Sequence, residues 1–318
     1  MAEIGTDIAK AVAYLCSGGL VAIPTETVYG LAANALDPVA VAGIFEAKQR
    51  PSFDPLIVHL PDFSVAELYC DRIPEAAGRL ANRFCPGPLT FILPKKAIIP
   101  DIVTAGHPTV GIRIPRHPLS LGLLDLLDFP LAAPSANPFG YVSPTTAWHV
   151  AEQLGEKIGY ILDGGPCEVG LESTIIDFST KQPKVLRLGG LSLESLEEAL
   201  GQSLEVQGSS SNPKAPGMLL KHYAPAKKMV WEASPLDASD IDPTQIARIR
   251  FNTFWPGEDP QHQFLLSAKG DLAEAAGRLF GLLRELDKSD YALIRVERMP
   301  EHGLGRAIND RLQRAVSI

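Results

Sequence analysis

The sequence lacks the short motifs that mark the common nucleotide-using and hydrolytic enzymes. It contains no GxxxxGKS or GxxxxGKT phosphate loop, no GxGxxG dinucleotide fingerprint, no HExxH zinc motif and no GxSxG nucleophile elbow. P-loop kinase, dehydrogenase and hydrolase interpretations therefore lose their usual support. A site that binds phosphate here must be built from other residues.

Cysteine is scarce, and no long apolar run is present. The four cysteines are far apart, with no CxxC pair and no histidines at ligand spacing: Cys16, Cys70, Cys85 and Cys167. A structural zinc or a disulfide framework is not expected, and unpaired thiols are typical of a reducing cytosol. The N-terminus is typical of a capped amphipathic helix rather than a signal peptide, and no apolar stretch of about 18 residues is uninterrupted. We expect a cytoplasmic protein that does not enter the membrane.

Length and composition indicate an ordinary globular protein of two domains. The chain has 318 residues, 46% of them hydrophobic and 21% charged. Its formal net charge of -8 argues against an overall basic nucleic-acid protein. A local basic groove can sit on an acidic molecule, so RNA binding stays open.

Short apolar strands alternate with helical segments up to residue 207. The strands are LVAIP, LIVHL, LTFIL, VGIRIP, PLAAPS, GYILDG, STIIDF and KVLRLG, and the helices lie near residues 38–49, 74–84, 120–127, 146–154 and 193–200. This mixture predicts an α/β (α+β) domain with an open mixed sheet flanked by helices over residues 1–207. The strand order is not determined by the pattern.

A Ser-, Pro- and Gly-rich segment separates this part from a smaller one. We interpret residues 208–227 as a linker and residues 228–318 as a second α/β domain of Rossmann-like pattern. The second domain contains the strands MVWE, RIRF, FLLS and YALIRVE, a helix from Leu272 to Leu286 and a final helix carrying Leu304, Ile308 and Leu312.

Polar and cationic side chains follow several of the predicted strands. Thr25 and Thr27 come directly after the first strand, at the end where open α/β sheets bind ligands, although a capping turn is an equal alternative. Lys48 and Arg50 follow a helix and could approach one anion, or form a solvated helix terminus. The two segments together predict a pocket for a small polar substrate beside phosphate.

Later strands add residues of similar chemistry. Arg113 lies inside the apolar strand VGIRIP, where burial requires a bound anion or an internal salt bridge, for which Glu172 is one candidate. Arg187 repeats the pattern in KVLRLGG. Hydroxyl and amide groups follow other strands, at Thr109, Ser135, Asn137, Ser173 and Thr174. Such a site favours binding and electrostatic stabilisation in phosphate chemistry.

As a set, these segments resemble a known family. PTETVYGL, KQRP with PLIVHL, CPGPLTFIL, VGIRIP, APSAN with SPTT, GLESTIID, VLRLGG, PGMLLKHYAP and GLGRAINDRL occur in the order found in YrdC-type threonylcarbamoyl-AMP synthases of the long, two-domain form. The resemblance covers nearly the whole chain. It implies a YrdC-like sheet and a reaction that joins L-threonine, bicarbonate and ATP into L-threonylcarbamoyladenylate, with release of pyrophosphate.

The resemblance also implies roles for individual residues. Those expected at threonine are Thr27, His59, Arg113, Ala133 and Ser173, and those expected at ATP are Arg50, Asp54, Thr109, Ser135, Ser143, Arg187 and Tyr223. Lys48 and Arg50 are expected to be catalytic, with Lys48 near the bicarbonate or phosphate. Mg²⁺ would be carried with ATP. The chain departs from the family at Asp54, where similar proteins often have Asn, so Asp54 faces either the nucleotide or Mg²⁺.

The resemblance extends to partners and to a lid. The product would feed the threonylcarbamoyl modification of adenosine 37 in tRNAs that read ANN codons, through downstream tRNA threonylcarbamoyl-transfer proteins. Tyr223 lies beyond the start of the linker yet is expected at the nucleotide, so residues 208–227 would fold over the site as a lid, the alternative being a plain tether. Two other functions stay open: carbamoyladenylate formation as in hydrogenase maturation, and binding of tRNA or double-stranded RNA.

Overall fold

A computed structural model describes residues 1–207, 214–217, 223–233 and 241–316. The strands in these ranges are β1 (Glu3–Gly5), β2 (Val21–Ile23), β3 (Gly30–Asn34), β4 (Ile57–His59), β5 (Leu89–Pro94), β6 (Thr109–Arg113), β7 (Leu131–Ala132), β8 (Tyr160–Leu162), β9 (Thr174–Asp177), β10 (Lys184–Arg187), β11 (Glu205–Val206), β12 (Met229–Trp231), β13 (Ile246–Arg250), β14 (Gln263–Leu265) and β15 (Leu293–Val296). The α-helices are α1 (Ile8–Cys16), α2 (Pro38–Lys48), α3 (Glu75–Phe84), α4 (Asp101–Thr104), α5 (Pro118–Asp125), α6 (Ala147–Leu154), α7 (Leu193–Leu200), α8 (Leu272–Lys288) and α9 (Leu304–Val316). No helix of the described ranges has the length and apolar character needed to cross a bilayer.

The strands between residues 3 and 206 form one mixed sheet, which confirms the predicted fold class. Their order is β1-β8-β2-β3-β7-β4-β6-β5-β9-β10-β11. Parallel pairs such as β4 and β6 lie beside antiparallel pairs such as β5 and β6. Because β4 and β6 run parallel and in register, their last residues, His59 and Arg113, lie opposite each other. The sheet thus brings two predicted site residues together at the carboxyl ends of these strands.

Every strand predicted from the pattern is present, with ends shifted by up to three residues. The pattern missed β1, β3, β11 and α4. β3 has the sequence GLAAN, and glycine and alanine have low strand propensity. It forms because it is buried between β2 and β7, so tertiary packing overrides local preference. β1 lies within the segment that the sequence assigned to a helix, which begins only after the Asp7 cap.

Helix α2 places two cations at the sheet because both of its ends are marked in the sequence. The Asp37 side chain caps the first turn, and Pro38 occupies the first helical position, where its missing N–H costs nothing. Gln49 ends the helix in the left-handed region at φ +52°. Lys48 therefore belongs to the last turn, and Arg50 begins the segment that leads to β4.

The strands after residue 228 form a second, smaller sheet in the order β12-β15-β13-β14, with all pairs parallel. Helices α8 and α9 pack on it, and their buried apolar residues join one cluster. That cluster also contains Val28, Val142 and Leu171, which belong to the part of the chain that forms the first sheet. The hydrophobic core of the second unit is thus completed by the first.

Polar contacts and a close glycine pair fix α8 against the first unit. Arg284 donates to the carbonyl of Val142, and the Tyr141 hydroxyl donates to Asp287 at 2.5 Å. Gly170, at φ +71°, approaches the helix so closely that an added Cβ would lie 2.6 Å from the Cα of Gly277. The backbone of the first unit therefore touches the backbone of α8 at this point.

We predict that Gly170→Ala loosens this junction. The variant combines backbone strain of about 1–2 kcal/mol with overpacking of about 1–3 kcal/mol. Gly201→Ala is the matched control, because Gly201 has φ +68° and no atom within 4 Å of its added Cβ. Urea unfolding of the full chain should show a larger loss of unfolding free energy for Gly170→Ala. Equal losses in the two variants would contradict the close contact.

Candidate active site

A cavity lies where the carboxyl ends of β2, β4 and β6 meet the loop after β7 and the strand β10. Seven of the predicted site residues line it: Arg50, His59, Arg113, Ala133, Ser135, Arg187 and Tyr223. Thr25, Gly30 and Glu172 are further lining residues. The cavity wall therefore carries three arginines, one carboxylate, one imidazole and several hydroxyls.

The other six predicted residues do not line the cavity. Five of them contact a lining side chain or its backbone, and are Thr27, Lys48, Asp54, Ser143 and Ser173. Thr109 is separate, because it begins β6 whereas Arg113 ends it. The expected nucleotide contact of Thr109 stays a prediction.

Arg113 is held by the threonine-rich turn that follows β2. Its Nη2 donates to Thr27 Oγ1 at 2.8 Å and to Glu26 Oε1 at 2.9 Å. The sequence named Glu172 as a candidate salt-bridge partner, and this was wrong, because Glu172 pairs with Arg311 instead. Nε of Arg113 is buried and has no hydrogen-bond partner among the described residues. Arg113 thus combines an internal ion pair at Nη2 with a position on the cavity wall.

His59 is a neutral side chain at the end of β4. Its Nδ1 lies 3.2 Å from the carbonyl oxygen of Ile57, and the residue is 1% exposed. Burial, together with the charge of Arg113, lowers the pKa of His59 to about 3. At neutral pH the imidazole is therefore uncharged, and it can hydrogen-bond a substrate without adding charge to the wall.

Lys48 is buried and does not line the cavity. Its Nζ donates short hydrogen bonds to the carbonyls of Ser135 and Asn137, which fix the loop after β7. Burial, together with the charge of Arg50, lowers the pKa of Lys48 well below its ordinary value. Lys48 positions Ser135 at the wall in this conformation, and its expected catalytic contact with bicarbonate or phosphate stays a prediction.

Arg50 lines the cavity and is braced from behind by Asp54. Its Nη2 lies 2.8 Å from the carboxylate of Asp54 and donates to the carbonyl of Pro55 at 2.9 Å. Asp54 is fully buried, and burial raises its pKa although Arg50 opposes this shift. No cluster of three metal-ligating side chains occurs in the described parts of the chain. Asp54 therefore compensates the charge of Arg50 rather than adding its own to the cavity.

Arg187 donates hydrogen bonds to Ser173, the residue that precedes the neighbouring strand β9. Its Nε and Nη2 donate to the carbonyl of Ser173 at 3.1 and 2.9 Å, and Nη2 also donates to Ser173 Oγ at 3.1 Å. Nη1 donates to the carbonyl of Pro216 at 3.1 Å. This guanidinium therefore joins the sheet to the segment that follows residue 207.

That segment closes one side of the cavity through Pro216, Gly217 and Tyr223. The Tyr223 ring stacks on Phe280 of α8, with ring centroids 6.0 Å apart. The space left for the centres of water molecules is about 40 Å³. One water needs roughly 10–15 Å³ by this measure, so ATP cannot enter unless the wall moves.

Sequence reasoning missed three residues of this arrangement: Glu26, Phe280 and Arg311. Glu26 was visible between the two threonines, as the charged residue of a turn that otherwise reads as hydroxyl-rich. Arg311 is a charge on the apolar stripe of α9, where Ile308 and Leu312 are buried. A cation at such a position needs a buried partner, and this signal could have identified it.

Two family models match consecutive parts of the chain. A model described as telomere recombination, for Sua5, YciO and YrdC proteins, matches residues 13–189. A model described as the C-terminal domain of threonylcarbamoyl-AMP synthase matches residues 191–317. Together they span almost the full length.

Similar proteins match over nearly their whole length as well. Threonylcarbamoyl-AMP synthase of Pyrococcus abyssi is 43% identical, with 96% of this chain and 92% of that protein covered. The enzyme of that name from Bacillus subtilis is 41% identical, with 97% and 92% covered. The crystal structure of P. abyssi Sua5 complexed with L-threonine superposes with a TM-score of 0.90 at 40% identity, with 97% and 94% covered.

The low pKa of His59 predicts a pH dependence of stability. The unfolded chain takes up a proton at His59 near pH 6.5, whereas the folded chain does so only near pH 3. Folding stability from this group is therefore complete above pH 6.5 and is lost as the pH falls toward 3. In urea unfolding from pH 7 to pH 4, we expect His59→Gln to lose less stability than the wild type, by a few kcal/mol at most. His302→Gln, at an exposed site, should follow the wild type; a His59→Gln profile parallel to the wild type would refute the assignment.

Proposed function

The chain belongs to the two-domain threonylcarbamoyl-AMP synthase family, and from this premise we propose that its cavity joins L-threonine, bicarbonate and ATP into L-threonylcarbamoyladenylate, with release of pyrophosphate. The observation that carries the proposal is the cavity wall itself. Its lining includes three guanidinium groups, those of Arg113, Arg50 and Arg187. Two anionic groups can thus be held side by side.

The end formed by β4, β6 and the threonine-rich turn suits the amino acid. A guanidinium binds carboxylate well, and all side-chain hydrogen bonds of Arg113 to described residues come from Nη2, so Nε and Nη1 make none. Thr25 supplies a hydroxyl and His59 a neutral imidazole on the same wall. We therefore assign threonine to this end, with Thr27 supporting Arg113 and with Ala133 as a wall contact. Ser173, whose contact with threonine stays a prediction, accepts hydrogen bonds from Arg187.

The end formed by Arg50 and Arg187 suits the nucleotide. Both residues line the cavity, and the guanidinium fork can bind phosphate oxygens through two parallel hydrogen bonds. We assign Ser135 and Tyr223 to the same end, and Thr109, Ser143 and Asp54 to its outer part or its support. Arg50 is the residue placed to offset charge that develops on the phosphate.

The chemistry requires proximity and protection from water more than a strong base. The threonine nitrogen attacks the bicarbonate carbon, a C–O bond breaks and water leaves, which gives a carbamate. An oxygen of the carbamate then bonds to the α-phosphorus while the bond to the β-phosphate breaks and pyrophosphate leaves. A carbamate loses carbon dioxide readily, so a closed cavity preserves it. Mg²⁺ would supply further charge neutralisation on the phosphates. Since Asp54 is engaged with Arg50, we infer that Mg²⁺ arrives bound to ATP rather than in a protein cage.

We further infer that residues 208–227 act as a lid between a catalytic domain of residues 1–207 and a C-terminal domain of residues 228–318. Pro216, Gly217 and Tyr223 wall the cavity, and the remaining space is too small for ATP. Of residues 208–227 the structure describes 214–217 and 223–227, and the rest of the proposed lid lies outside the described residues. Entry of the substrates therefore requires at least Pro216, Gly217 and Tyr223 to be displaced. Transfer of the product to adenosine 37 of tRNA by downstream proteins, and direct binding of tRNA or double-stranded RNA, stay predictions.

Pyrophosphate release tests the reaction and separates it from the related carbamoyl chemistry. We expect release from ATP only when threonine and bicarbonate are both present. Release that ignores threonine would favour a carbamoyladenylate-forming enzyme. If no pyrophosphate is released with or without threonine, RNA binding is left as the alternative. It is measured by retention of a double-stranded RNA at low salt.

The lid predicts a specific failure in Tyr223→Ala. Loss of the ring opens the cavity to water, so more of the newly formed threonylcarbamoyladenylate should be hydrolysed for each ATP consumed, by about tenfold if closure weakens by about 1.4 kcal/mol. The measurement is product formed per pyrophosphate released. Tyr223→Phe is the control, because it keeps the ring on Phe280. Unchanged coupling in Tyr223→Ala would show that the segment is only a tether.

A further inference from the structure

Arg311 belongs to the C-terminal unit, but its guanidinium contacts residues of the first unit. Helix α9 carries it on a buried stripe, and the residue is 1% exposed. Its Nη2 donates to the carbonyl of Leu188 at 2.8 Å, and its Nε donates to Glu172 at 2.8 Å. On its own helix it has a third partner, Asp310, at 2.6 Å. Arg311 thus crosses the boundary between the units with all three nitrogens engaged.

The partner of Arg311 is the one carboxylate on the cavity wall. Glu172 is 5% exposed and lines the cavity beside Arg187. One of its oxygens accepts from the Ser143 hydroxyl at 2.5 Å and the other from Arg311. Both oxygens are therefore fixed, and the carboxylate cannot turn toward or away from a ligand freely.

An ionised carboxylate at this place opposes the binding of phosphate. Burial favours the neutral acid, but Arg311 and Arg187 outweigh it and hold the pKa of Glu172 below its ordinary value. The charge of Glu172 therefore persists, and its effect on an anionic ligand depends on the cation behind it. Without that cation a buried charge would face the triphosphate uncompensated.

The same guanidinium also supports the segment over the cavity. Its central carbon lies 4.8 Å from the centroid of the Tyr223 ring. Tyr223 has φ +66°, a left-handed conformation that a bulky residue adopts only where its surroundings impose it. Arg311 and Phe280, both from the C-terminal unit, pack against this ring.

We propose that Arg311 is a positioning residue for the nucleotide: it neutralises and fixes Glu172 on the cavity wall and seats Tyr223 over it, so that the C-terminal domain completes the nucleotide end of the site. The proposal rests on the assignment of ATP to that end. The threonine end, formed by Arg113 and the turn at Thr25, has no contact with Arg311 among the described residues.

Binding measurements test this independently of turnover. Calorimetry on the full chain would give separate dissociation constants for a non-hydrolysable ATP analogue and for L-threonine. We expect Arg311→Met to weaken binding of the analogue by about tenfold or more while threonine binding stays within twofold. Arg311→Met combined with Glu172→Gln should recover most of the analogue affinity, because neither buried charge then remains.

The matched control is Arg306→Met on the same helix. Arg306 also reaches across the boundary, to Glu194 at 3.6 Å, but its contacts with the described residues include no cavity residue. It should bind both ligands as the wild type does. An effect of Arg306→Met equal to that of Arg311→Met would show that domain docking, rather than Glu172, is responsible, and would overturn the proposal.

Three further results would also overturn it. They are wild-type affinity for the analogue in Arg311→Met, equal loss of both ligands, and no recovery in the double variant. If Arg311→Met does not fold, Arg311→Lys keeps the charge and should bind the analogue within a few-fold of the wild type; a tenfold loss overturns the proposal. Failure of the synthase assignment is distinguishable, because it appears in the wild type as pyrophosphate release that does not require threonine.

Discussion

The structure depends on burying several cations around one cavity and compensating each of them. Lys48, Arg50, Arg113, Arg187 and Arg311 are all at most 7% exposed. A buried cation without partners costs several kcal/mol, so each needs carboxylate or carbonyl oxygens within reach. Glu26, Asp54 and Glu172 supply the carboxylates, and the backbone supplies the rest. The loops at this edge of the sheet are arranged by these requirements.

The compensation is distributed so that the cavity itself stays positive. The carboxylates that pair with Arg50 and Arg113 do not line the cavity, whereas the two guanidinium groups do. Glu172 is the exception, and its charge is met by Arg311 from outside. The wall thus presents cations to a ligand while their counter-charges remain behind it. This arrangement suits a substrate as anionic as ATP, because the ligand replaces water rather than protein anions.

Features set by local sequence were predictable, and those set by distant pairing were not. Most of the strands and the residues that follow them could be read from period, and the start of α2 could be read from Asp37 and Pro38. The partner of Arg113 could not, because Glu26 is 87 positions away and Glu172 was an equally reasonable carboxylate. The place of Lys48 near bicarbonate or phosphate stays a prediction, and the hydrogen bonds of its amine to the carbonyls of Ser135 and Asn137 depend on the packed loop. Arg311 and Glu172 are 139 positions apart, in different units.

The two units are joined by shared packing close to the cavity. Its core is completed by Val28, Val142 and Leu171, so the two parts share one apolar cluster. Val28 is itself a lining residue of the cavity and Leu171 directly precedes Glu172, so this shared cluster forms part of the cavity wall and adjoins the rest. A reaction through a labile carbamate needs a cavity that opens for ATP and closes without water. In the lid proposed for residues 208–227, Tyr223 would rest on Phe280 and Arg311 of the second unit when the cavity is closed.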